Sequence, residues 1–137
     1  MNKRYVLKPL LAALLVLTMS SAVRADDVQI VAADLRSTQD NVWQVSVTLK
    51  HGDTGWDHYA DDWRLVDIEG NVLGDRVLRH PHVNEQPFTR SLEGVSVPAG
   101  VTTVYVEAHD KVHGWTPNRL MVDLTRVEGR YLRVEMP

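Results

Sequence analysis

The sequence predicts an all-β fold, an antiparallel immunoglobulin-like sandwich of seven or eight strands. Three observations predict it. Apolar and polar residues alternate at period two in several segments, which buries one face of an extended chain and wets the other. Turn signals separate those segments at short intervals. No stretch beyond residue 25 carries a convincing helical period.

Taken in order, Val28–Arg36 is the first strand candidate, rich in Val, Ile and Leu. Asn41–Lys50 is the clearest: Trp43, Val45, Val47 and Leu49 alternate with Gln44, Ser46, Thr48 and Lys50. Asp62–Ile68 follows, with Trp63 and Leu65 facing inward. Glu69-Gly70-Asn71 makes a tight turn into Val72–Arg79, where Gly74 marks a bulge. Phe88–Val97 leads through Pro98-Ala99-Gly100 to Val101–Ala108. Arg119–Leu124 and Tyr131–Met136 close the series, with Glu128-Gly129 turning between them. Eight short strands in about 110 residues suit two packed sheets, with Trp63 as the core tryptophan of a central strand. A small closed barrel is the alternative.

Residues 1–25 read as a secretory signal peptide, and 26–137 as one β-sandwich domain. Lys3, Arg4 and Lys8 precede a short apolar run, Leu10 to Leu17, and small residues then lead to Val23-Arg24-Ala25. This order predicts cleavage after Ala25, with Ala22 as the alternative. The apolar run is shorter than the roughly 20 residues a membrane span needs. Export to the periplasm or medium is therefore expected, with no membrane attachment after cleavage.

Residues 26–137 hold 11 basic and 18 acidic side chains, a formal charge of −7. An acidic domain is a poor partner for nucleic acid or an anionic membrane and is compatible with cations. The sequence has no cysteine. That excludes a thiol nucleophile, a thiolate metal site, a blue-copper centre and lipid attachment through cysteine.

The six histidines, His51, His58, His80, His82, His109 and His113, fall in the connections 51–61, 80–87 and 109–118. If each strand runs opposite to the one before, all three connections emerge at one end. The other end keeps the short turns. His51 to Trp63 carries two histidines and four carboxylates; Pro81 holds the His80-Pro81-His82 pair extended. Neutral imidazole is the commonest metal ligand, and its other ring nitrogen usually donates to a carboxylate. Three or four of the histidines are expected to ligate one divalent ion. Asp53, Asp57, Glu85 and Asp110 are expected beside them as ligands or as hydrogen-bond partners of the ligating rings. Nitrogen and oxygen donors without sulfur suit copper(II), zinc or nickel; a copper or zinc ion is expected, with copper(II) ranked first.

The runs Trp56-Asp57-His58-Tyr59-Ala60-Asp61 and His80-Pro81-His82…Glu85-Gln86-Pro87-Phe88-Thr89-Arg90 resemble those of small uncharacterised bacterial exported β-sandwich proteins. In size, compartment and lack of cysteine the chain is also similar in outline to periplasmic copper-binding β-sandwich proteins. That likeness implies a fold and assigns no residue.

Two functions compete at the histidine end. One is a metal-binding module, with a periplasmic protein as a further partner. The other is a metal-free recognition surface for a protein, peptide or glycan, using Trp56, Tyr59 and Trp115. Catalysis would need a metal-activated water with Asp57 or Glu85 as base. No nucleophile elbow or zinc-protease motif supports it.

Overall fold

The computed structural model describes residues 26–137. The predicted leader, 1–25, lies outside the described residues. Nine strands follow one another: β1 Gln29–Gln39, β2 Val42–Lys50, β3 Ala60–Asp67, β4 Val72–Val77, β5 Phe88–Ser96, β6 Thr103–Asp110, β7 Gly114–Trp115, β8 Leu120–Asp123 and β9 Tyr131–Glu135. One 3-10 turn, Leu124–Arg126, is the only helical element among the described residues. The chain is an all-β sandwich. One sheet has the order β5-β2-β1-β9; the other runs β4-β3-β6-β7, with β8 also paired to β6. Every pairing is antiparallel.

The period-two pattern explains the core. Val45, Val47 and Leu49 of β2 face Trp63 and Leu65 of β3 and Val104, Val106 and Ala108 of β6, all fully buried. The alternate residues of β2 and β5 form a polar outer face, where Ser46 bonds Ser91 and Thr48 bonds Thr89 across the strands. Trp63 has no exposed surface and occupies the predicted central position.

The predicted seven or eight strands become nine because Gly114–Trp115 pairs with the end of β6. That hairpin also lengthens β6 to Asp110, so His109 sits on a strand rather than in the third connection. Its physical cause is the Asp110 side chain, whose Oδ1 accepts from the backbone N–H of Val112 and His113 at 2.9 and 2.8 Å. Gly74 lies at a register shift opposite Leu65 and Val66, as a bulge requires. A Cβ there would come within 2.9 Å of Leu92 Cδ2 and 3.3 Å of Val95, side chains of the opposite sheet.

The strand directions bring the three histidine-bearing connections to one end. The second touches the first where the His82 backbone N–H donates to Asp53 Oδ2 at 2.8 Å. The third meets the first where His58 Nε2 lies 3.3 Å from Asp110 Oδ1.

Candidate metal centre

Asp53 organises this end. It is buried, and both its oxygens are used: Oδ1 accepts from the Ala60 backbone N–H at 2.9 Å and from His51 Nδ1 at 2.6 Å, and Oδ2 accepts from His82 N–H. A buried carboxylate is tolerated only when its lone pairs are satisfied in this way. Gln86 ties the same two segments together, accepting from the His51 backbone N–H and donating to the His82 carbonyl. His51 is thereby fixed in orientation. Its Nε2 faces the Asp26 carbonyl oxygen at 2.8 Å, so both ring nitrogens face oxygen acceptors.

Three imidazoles then follow one another edge to face. The His51 and His58 ring centroids are 4.9 Å apart, and those of His58 and His113 are 5.1 Å apart. Below them lies Asp110, fully buried. Burial would push its carboxyl up, but the backbone N–H groups of His113 and Val112 and the nearby imidazoles outweigh burial and hold it below the usual carboxylate range. It is therefore an anion at neutral pH. His113 Nδ1 sits 3.1 and 3.2 Å from its two oxygens.

Donor atoms of His51, His58 and Asp110 all lie within 4.8 Å of one another, and so do those of Asp27, Asp110 and His113. The two groups share Asp110. His58 Nε2 is buried and makes no hydrogen bond, although Asp110 Oδ1 is only 3.3 Å away. The distance allows an ion pair and the angles do not allow a hydrogen bond. A tetrahedral zinc ion with bonds of about 2.0–2.1 Å spaces adjacent donors roughly 3.3 Å apart.

The other predicted residues lie elsewhere. The His82 ring stacks on Phe88 at 3.9 Å between centroids, and its Nε2 accepts from Arg90 Nη2 at 2.8 Å. His80 packs beside His82, with its Nδ1 on the Pro81 carbonyl. His109 turns to the outer face of its sheet, bonded to Asp61 and edge-on to Trp115. Glu85 pairs with Arg90 on the surface. Asp57 is exposed. Asp110, expected from sequence as a ligand or a partner of one, converges with the ligand atoms themselves. Asp27 is absent from the sequence-based set, because the strand pattern begins at Val28 and nothing in the sequence links the residue before it to the loops. Trp115 lies over Arg64, its ring 3.7 Å from the guanidinium carbon, and Trp56 packs edge-on to Tyr59.

The fold and site together define an all-β sandwich domain with a His/Asp cluster in its loop end. Over 113 residues the chain is 41% identical to a protein of Halomicrobium mukohataei described as "Putative lipoprotein", a match covering 75% of this chain. The chain spans about half, 55%, of that relative's length. No family model matches the chain, and no solved structure matches it. Among the described residues no helix is long and apolar enough to cross a membrane.

Proposed function

We propose that this is an exported module that binds one divalent transition-metal ion, copper(II) or zinc, at its loop end. The ion is held by His51, His58 and Asp110, with His113 and Asp27 adjoining. The observation that carries the reading is the buried, unbonded Nε2 of His58 facing the ionised Asp110 at 3.3 Å. The Asp53–His51 bond supports it, because a carboxylate on Nδ1 orients an imidazole that ligates through Nε2 and raises its basicity; ligation exchanges the Nε2 contact with the Asp26 carbonyl for the ion. Two imidazoles with one or two carboxylates form a mixed nitrogen and oxygen set that suits copper(II) and zinc and disfavours copper(I). Export is supported by the order of basic, apolar and small residues in 1–25 and by the relative's description as a lipoprotein. The sequence itself has no cysteine to carry a lipid.

A metal-free recognition surface is the second reading. Trp56, Val83 and Val112 favour it, being 65%, 53% and 58% exposed in the three connections of the same end. Calorimetric titration of the metal-free, tag-free protein with copper(II) and zinc separates the two. Saturable binding of one ion, tighter than about 10 μM or roughly −7 kcal/mol, supports the metal reading. Its absence leaves the loop end as a contact surface.

A further inference from the structure

A second cluster stands apart from the His/Asp centre. A cavity of about 190 Å³ opens beside the edge strands β4 and β5 and is lined by Arg76, Leu78, Arg79, His80, His82 and Arg90. Three arginines and two histidines line it, and no carboxylate-bearing residue does. This is unexpected in a domain with an excess of acidic residues, because clustered cations repel one another unless an anion joins them.

We propose that this cavity binds a small tetrahedral oxyanion of the phosphate or sulfate type. Arginine suits such a ligand, because its planar, permanently charged fork matches oxyanion geometry. Two of the forks are already held in place. Arg76 donates from Nε to the Ser91 carbonyl at 2.9 Å and from Nη1 to the Val77 carbonyl at 2.6 Å. Arg90 donates from Nη1 to the Thr89 carbonyl at 2.7 Å and from Nη2 to His82 Nε2 at 2.8 Å. Arg76 retains further N–H groups; Arg90 retains its Nε–H and the two Nη hydrogens that Glu85 now holds. Arg79 is exposed and supplies the third arm.

His82 sits among these cations. Because Nε2 accepts from Arg90, the ring proton belongs on Nδ1, which is buried without a hydrogen-bond partner, 3.9 Å from Asp53 Oδ2. Burial first, and then the charges of Arg90 and His80, hold the imidazole below its usual protonation range. The opposing charges are Glu85 and Asp53, and Glu85 reaches Arg90 at 3.3 and 3.4 Å. Those are long contacts for a charged pair, and they leave Arg90 open to a competing anion.

The site is separate from the metal reading and is tested without metal. The measurement is calorimetric titration of chelator-treated protein, in a chloride-free buffer of low ionic strength, with inorganic phosphate, sulfate and phenyl phosphate. One saturable site is expected, and the tightest of the three ligands tells whether a free ion or an ester is preferred. Arg79→Gln, which removes no hydrogen bond of the fold, is expected to weaken binding by about tenfold or more. Glu85→Gln removes the competing carboxylate and is expected to tighten it, an outcome that no loss of folding can imitate. Failure of all three anions to bind either the native protein or Glu85→Gln would overturn the proposal. So would affinities indifferent to both substitutions.

Discussion

At the scale of single residues, metal binding depends on which side chain holds which. His58 has an unbonded nitrogen, Asp110 a carboxylate ionised at neutral pH, and Asp53 sets the ring beside them. These roles predict different losses. Asp110→Asn keeps an oxygen for the Val112 and His113 N–H groups but removes the charge; the protein should fold and lose metal affinity. Asp53→Asn should weaken metal binding about 10- to 100-fold and also lower the melting temperature, since His51, Ala60 and His82 all donate to it. Affinity should fall below about pH 6 in every form that binds, because protonated imidazole cannot coordinate and free histidine titrates near 6.5. A second residue-scale prediction concerns Asp62. Burial, and then the neighbouring Asp75, raise its carboxyl from 3.8 to about 7. The folded protein therefore holds a proton that the unfolded chain releases, and stability declines as pH rises from about 4 to 7. Asp62→Asn should flatten that decline. Melting curves of both proteins at pH 5 and pH 8 check it: equal slopes would show that the carboxyl pair does not titrate as described.

At the scale of elements, the turns and the ends of strands decide the site. Gly74 lets β4 pass close to Leu92 and Val95 of the opposite sheet. Gly74→Val should cost about 1–3 kcal/mol by overpacking, measured by denaturant unfolding; a neutral result would mean that the two side chains yield. The same scale shows what the sequence could disclose. Alternation in 41–50 and 101–108 is a direct record of one buried face, so the sandwich and Trp63 were legible. Counting strand direction was enough to place the three connections together. It could not say where each ring points. His109 reads as a loop residue because the two-residue pairing of Gly114–Trp115 has no period to detect. His80 and His82 share a side of an extended segment, but that side meets Phe88 and Arg90 rather than His51. Asp27 joins the cluster through a contact between the start of the described chain and the third connection, and a long-range contact leaves no local signal.

At the scale of the molecule, the sandwich is a rigid stand that presents loops at one end, as sandwich folds do with their binding loops. Its core comes from aliphatic residues together with Trp63 and Phe88, so the fold needs no metal to close. Binding should still stabilise it: an ion held only by the folded state, at 100 times its dissociation constant, adds about 2.7 kcal/mol. The melting temperature should rise with zinc or copper and return on chelation. The sharpest test sets two histidines of the same end against each other, by titrating zinc and copper(II) into metal-free His58→Gln and His80→Gln. If the ion sits between His51, His58 and Asp110, His80→Gln binds like the native protein, while His58→Gln loses about a hundredfold or more in affinity, the equivalent of roughly 2.7 kcal/mol. Undiminished binding by His58→Gln, or a loss confined to His80→Gln, would contradict that placement.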